Sequence, residues 1–377
     1  MTIDKHIHPL RPDADTCIRL RDMWHCATTK RDLLRMLNLA LGAVHGEHSQ
    51  AVTFEQLTRY ADSSCATPHY TTFRLPKKRP GEYRTIDAPV PGLRRLQQGL
   101  NLILQCVHTP HAAATGFVPR RSVVDNARVH LGQRLVYNID LQDFFPSITA
   151  GRLYRRLTAK PFSLNPRLAS LVTDLCCHTA ADGRRVLPQG APTSPTITNF
   201  ICEQLDRKLT RLAKAYGLKY SRYADDITFS GMTHIFYEAS PFVRALHRIV
   251  EDEEHFTINP AKTRLCHQGM RQEVTGLTVN SKENVARSYL AQLRTLLHNW
   301  EFDGYDAAQT VFASHYRRSR TRHLHLPGTP RLENVVWGKL QYLKMVKGST
   351  DPAYRALAAR YDALARQICE TKNKNTI

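Results

Sequence analysis

Residues 222–231, RYADDITFSG, constrain the fold more than any other stretch of this chain. Two short extended runs, LKYS (218–221) and ITFS (227–230), flank the adjacent carboxylates Asp225 and Asp226, and the second closes on Gly231. That pattern predicts a hairpin with acidic residues at its tip. Such a dipeptide is ordinarily a solvated turn. Here it sits in a chain with 53 Lys and Arg against 33 Asp and Glu, a formal charge of +20. An excess of that size repels itself and adds little to folding, whereas a polyanionic partner, nucleic acid foremost, accounts for it. Basic clusters recur at LPKKRPGEYR, LRRL, VPRRS and SHYRRSRTRH.

A third carboxylate gives the turn a chemical purpose. RLVYNID (134–140) reads as a buried strand ending on Asp140. If that strand pairs with the hairpin, Asp140, Asp225 and Asp226 converge on one sheet edge and repel one another unless divalent cations intervene. Mg²⁺ favours a few carboxylates completed by substrate phosphate oxygens, with Mn²⁺ a substitute. Two such ions, roughly 4 Å apart, activate an attacking hydroxyl and stabilise the leaving oxygen in phosphoryl transfer. Side chains alternate along a strand, so the adjacent pair divides its roles: Asp225 is expected to be the principal ligand and Asp226 a supporting one.

The chain of 377 residues is long enough for two or three structural units. Helical periodicity marks residues 1–60, a mixed α+β pattern marks 61–285, and 286–377 return to helix. Helical pattern resumes over 150–178 and 195–216, and extended pieces are expected at FTINPAKTRL and EVTGLTVN. No run approaches the roughly 18 apolar residues of a membrane span. The opening MTIDKHIHPLRPDAD lacks the layout of a signal peptide. A cytoplasmic protein without membrane contact is expected. The nine cysteines are scattered with no C-x-x-C pair, so they read as reduced and mostly buried. The pairs His6/His8 and His323/His325 lack nearby Cys or carboxylate partners and do not read as metal sites.

YADD (223–226) resembles the Y-x-D-D box of reverse transcriptases. NIDLQDFFPSI (138–148) resembles that family's first palm motif, with Asp140 as its metal-binding aspartate and Phe145 as the aromatic gate beneath the sugar. The gate implies use of dNTPs, and Phe144 is left to the core. LPQGAPTSPTITNF (187–200) resembles the motif that covers the nascent base pair, with Gln189 beside the incoming dNTP. FRLPKKRPGEYRTIDAP (73–89) resembles the fingers segment, with Lys77 and Arg84 spaced as its triphosphate-binding pair. INPAKTRL matches the later palm segment, where Lys262 would protonate departing pyrophosphate. The resemblance runs from about 70 to 280 and implies a right-hand polymerase: fingers, a ferredoxin-like palm of antiparallel sheet plus helices, and a helical thumb.

Two further stretches resemble signatures of the retron reverse transcriptases: N-A-x-x-H at Asn126, Ala127 and His130, and V-T-G at Val274, Thr275 and Gly276. Membership would imply a cognate structured noncoding RNA as partner. DNA synthesis would start from the 2′-OH of an internal guanosine and leave a branched RNA–DNA hybrid, in anti-phage defence with a separate effector protein. Both signatures are expected to touch RNA, since a small Thr-Gly pair admits a backbone and offers a hydroxyl. The alternatives are a strand-end turn at Thr275-Gly276 and, equally open, a helix on which Asn126 and His130 brace the fingers. Arg317, Arg318 and Arg320 are expected to form a basic loop gripping RNA. Other readings remain: an abortive-infection, diversity-generating or intron-encoded reverse transcriptase, a catalytically dead RNA scaffold, or a nuclease using the same carboxylates. A nuclease would not need Lys77, Arg84, Phe145 and Gln189.

Overall fold

The strand LVYNID is buried at every position except Asn138, which requires a neighbour on each side. The computed structural model provides both, and describes residues 13–46, 49–62, 69–77, 81–319 and 328–374, without the side chains of 368–374. Arg320, His6, His8, His323 and His325 lie outside the described residues. The strands in chain order are β1 (Tyr70–Pro76), β2 (Tyr83–Pro89), β3 (Leu135–Asp140), β4 (His178–Thr179) and β5 (Arg185–Val186). They continue as β6 (Lys219–Tyr223), β7 (Asp226–Gly231), β8 (Arg264–His267), β9 (Glu273–Val274) and β10 (Leu277–Thr278). The central sheet has the order β6-β7-β3-β8, and every neighbouring pair is antiparallel. β1 and β2 form a separate hairpin.

Helices cover the sheet: Ser194–Ile201, Glu203–Ala215, and Pro241–His247 running on as a π-helix over Arg248–Glu253. The helical pattern over 150–178 forms two helices, Ala150–Thr158 and Pro166–Cys176, with Pro161 between them and Pro166 opening the second. Proline lacks the amide a helix interior needs. The 195–216 helix likewise divides at Cys202. FTINPAKTRL is largely loop and becomes strand only at Arg264.

Helices Ala14–Cys26, Lys30–His45 and Phe54–Ala61 start at side-chain caps on Asp13, Thr29 and Thr53. Leu20, Trp24, Leu33, Met36 and Leu37 share one core with helix Pro91–Val107 and the palm, and the Trp24 indole donates to the Phe162 carbonyl at 3.0 Å. A second core joins the C-terminal helices Arg287–Asp303, Tyr305–Arg318, Leu332–Lys347 and Pro352–Lys374. It also takes in Val274, Leu277, Val279 and Val285, together with Val124, Ala127 and β3 Val136. The expected boundary at 285 therefore falls inside a packed core. Among the described residues, no helix is long and apolar enough to cross a membrane.

Candidate active site

Strand pairing brings the three aspartates together. Asp140 closes β3 and Asp226 opens β7, and the two are register partners across the antiparallel pair. Tyr223 pairs with Asp226, so Ala224 and Asp225 form a two-residue hairpin loop. The Leu141 amide donates to the Asp225 carbonyl at 3.1 Å and ties the tip to the end of β3. Ala224 adopts φ 58°, a conformation that costs an L residue about 1–3 kcal/mol. Segment 113–117 supports it from below: the Thr115 amide donates to Arg222 O at 2.8 Å and the Arg222 amide to Ala113 O at 2.9 Å. A Cβ on Gly116 would lie 2.6 Å from the Ala224 nitrogen, so only glycine fits there without movement of backbone.

The electrostatics follow from this crowding. Burial and then the Asp140 charge raise the Asp225 carboxyl above its ordinary range, against the pull of Lys262 and Arg84. Removal from bulk water, then Asp225, then Asp140, push Asp226 up to about 6. Asp140 is engaged differently: Lys262 Nζ donates to its Oδ1 at 2.7 Å and Asn259 Nδ2 to its Oδ2 at 3.2 Å. Among the described residues, no group of three His, Cys, Asp or Glu side chains is arranged to hold a metal ion. The donor chemistry nonetheless suits one. Two all-oxygen ligands whose proton affinity is raised by burial and by the neighbouring carboxylates gain from a hard divalent cation in the proton's place.

The fingers hairpin stands against the palm. The Asp87 amide of β2 donates to Gln189 O at 2.9 Å, and a Cβ on Gly190 would meet Asp87 O at 2.9 Å. The glycine of the PQG segment thus lets the loop lie flat against β2. Lys77 follows β1, exposed, its amide bonded to Glu82 O at 2.7 Å; Arg84 is exposed on β2 opposite Leu75. Phe144 is 3% exposed and packs on Phe256, as expected of the core member of its pair. Phe145 is half-buried, 6.4 Å between ring centroids from Phe117, which lies at the same distance from Tyr223. Phe117 was missed by sequence reasoning. It is 40% exposed at φ 59°, and its placement between a glycine and a nearby proline (GFVP) was the available signal.

The residues expected to contact RNA differ in exposure. Asn126 and His130 are both 0% exposed. Asn126 Oδ1 accepts from the Thr115 and Ser221 hydroxyls at 2.7 Å each, while the His130 ring bonds Ser221 and Ser230, also at 2.7 Å each. These side chains brace the palm hairpin and present nothing to a ligand. Burial lowers His130 to about 3, so its ring is neutral. Val274 is buried too, because its side chain belongs to the second core. Thr275 (φ 47°) and Gly276 (φ 82°) form the turn between β9 and β10, and the Thr275 hydroxyl donates to Val123 O at 3.2 Å. Gly276 is exposed, as are Arg317 and Arg318 on the last turn of helix Tyr305–Arg318.

An acidic hairpin in a four-stranded antiparallel palm, faced by a basic fingers hairpin and followed by a helical thumb, defines a right-hand polymerase fold. The family profile described as reverse transcriptase (RNA-dependent DNA polymerase) matches residues 75–295. The retron Ec86 reverse transcriptase of Escherichia coli is 31% identical over 70% of this chain and 81% of its own length. The retron Mx65 and Mx162 reverse transcriptases of Myxococcus xanthus are each 40% identical over 61% of this chain. Of those two relatives the chain spans only about half, 56% and 52% of their lengths. The chain belongs to the reverse transcriptase family, among the retron reverse transcriptases. Enzymes of this family generally use divalent metal ions.

Proposed function

We propose that this protein is an RNA-directed DNA polymerase that extends a primer with dNTPs on an RNA template. The observation that carries the reading is the register of Asp140 on Asp226 with Asp225 at the adjoining tip. Asp140 and Asp225, with Asp226 in support, would hold two Mg²⁺ ions. When bound, these supply the charge that activates the attacking hydroxyl and eases departure of pyrophosphate. Phe145, with Phe117 beside it, forms a floor on which a 2′-OH would clash. Gln189 would lie beside the incoming nucleotide, and the Lys77 and Arg84 cations would neutralise its triphosphate. Lys262, on a long stem 54% exposed to solvent, can carry a proton to the leaving pyrophosphate.

Within this activity the retron mode is the finer part of the proposal. The protein binds a cognate structured noncoding RNA and starts from the 2′-OH of an internal guanosine. The product is a branched RNA–DNA hybrid, made in the cytoplasm and serving anti-phage defence with a separate effector. The exposed turn at Thr275 and Gly276 and the cations Arg317 and Arg318 are offered as RNA contacts. Nucleic acid co-purifying with the protein, treated with a debranching enzyme, tests this: a branched RNA–DNA species should resolve into RNA and DNA. Linear DNA alone, or no inverted-repeat RNA encoded beside the gene, contradicts the retron mode and leaves the polymerase reading standing.

A further inference from the structure

Arg222 immediately precedes the acidic box, and both its side chain and the Asp206 carboxylate facing it are 0% exposed. Nε donates to Asp206 Oδ1 at 2.8 Å and Nη2 to Oδ2 at 2.7 Å, a bidentate pair. The Tyr220 hydroxyl holds the same carboxylate at 2.7 Å. The other guanidinium contacts run toward the turn: Nη1 donates to Ala224 O at 3.0 Å, and Nη2 reaches Asn199 Oδ1 at 3.3 Å. Asn199 Nδ2 in turn donates to the carbonyl of Gly116, the glycine seated beneath Ala224, at 3.0 Å. A buried ion pair is weak support for stability, because desolvating two charges offsets their attraction. This one does something an apolar pair could not: it grips the carbonyl of the residue at φ 58°. Such backbone persists only where its surroundings over-determine it.

We propose that Arg222, oriented by Asp206, is a positioning residue: it fixes the Ala224 carbonyl and so holds the turn in the form that presents Asp225 and Asp226 together, an inference that rests on the polymerase reading above. The test is a double-mutant cycle between Arg222→Lys and Ala224→Gly, read as the single-turnover rate of Mg²⁺-dependent dNTP addition and the KM for dNTP. Lysine keeps the charge opposite Asp206 but loses the planar fork that serves carboxylate and carbonyl at once. Glycine adopts a positive φ without strain. Arg222→Lys should slow addition by about tenfold or more, the scale of a small misplacement of reacting groups. The KM should stay within about twofold. Ala224→Gly should recover much of that loss in the double variant. A wild-type rate for Arg222→Lys, or the same loss in both backgrounds, overturns the inference. A purely structural arginine would lower the unfolding temperature and leave the rate per folded molecule unchanged, which also overturns it. Should Arg222→Lys not fold, Arg222→Met with Asp206→Leu replaces it in the cycle, leaving no unpaired buried charge. Failure of that variant to fold as well assigns the pair to folding and overturns the positioning role. Wild-type protein that adds no nucleotide sinks the polymerase reading and the inference with it, whereas an active wild type with additive variants sinks the inference alone.

Discussion

Lys262 reaches across from the loop before β8 to Asp140, Nζ to Oδ1 at 2.7 Å, and so pairs with the one aspartate of the three that ends a central strand. Its charge also pulls down the carboxyls of Asp225 and Asp226. Lys262→Met removes both the cation and the proton donor. It should slow single-turnover nucleotide addition by about a hundredfold, the scale of a lost general acid. Both active-site carboxyls should titrate higher, so the acid limb of the rate profile should move to higher pH. A rate unchanged at every pH contradicts this role.

Phe145 is half-buried between Phe144 and Phe117. Phe145→Val should therefore leave folding nearly intact while opening the floor beneath the sugar. Incorporation of rNTPs relative to dNTPs should rise by about tenfold or more, since a pocket discriminates through small steric differences of a few kcal/mol. Competition between the two nucleotides at one template position reads this directly. An unchanged ratio would return Phe145 to the core.

Gly116→Ala places a methyl carbon 2.6 Å from the backbone nitrogen of Ala224. Backbone, rather than a flexible side-chain tip, must give way. The expected loss is about 1–3 kcal/mol of stability, typical of overpacking, together with a fall in nucleotide addition by the folded protein. Gly151→Ala, on helix Ala150–Thr158 where nothing lies within 4 Å, is the control: it should cost no stability, helical glycine being less favourable than alanine, and should leave nucleotide addition unchanged.

His130 predicts a pH dependence that is independent of metal. Burial holds its folded pKa at about 3, below the ordinary 6.5, with Lys219 adding to the effect. The unfolded chain therefore binds a proton that the folded chain refuses. Stability falls as pH drops from about 6.5 toward 3, by at most about 1.4 kcal/mol per unit. Ser221 and Ser230 face the ring from β6 and β7, and neither titrates in this range. His130→Gln should be less stable at pH 7 yet show a shallower acid slope in denaturant titrations. Equal slopes would mean that other groups govern the acid limb.

Much of the site was legible because its chemistry is local. The acidic hairpin and the end of β3 on Asp140 follow from short runs whose polarity pattern dictates strand or turn, whereas the Phe144/Phe145 division comes from the family resemblance. The burial of Asn126 and His130 was not legible in the same way. Asn126 and His130 look like ligand contacts in sequence because polar side chains seldom lie wholly buried. Their partners Ser221 and Ser230 are 91 or more residues away along the chain, and only folding supplies them. Arg222 was hidden for the same reason, since its partner Asp206 lies on a helix whose buried face the periodicity marks as apolar. Domain limits are not a local property. Burial periodicity shows that a helix has an apolar face and not which core receives it, so the N-terminal helices and residues 274–285 were assigned by order along the chain.

The proposed metal-dependent polymerase activity depends above all on Asp225, at the tip beside Asp140 and Asp226. The most direct measurement is dNTP incorporation on a primed RNA template by wild-type and Asp225→Asn protein across a Mg²⁺ titration. Incorporation should require Mg²⁺ in the wild type and be abolished in Asp225→Asn, with both proteins unfolding at similar temperatures. Equal incorporation by the two proteins, or wild-type incorporation indifferent to chelation of Mg²⁺, would contradict it.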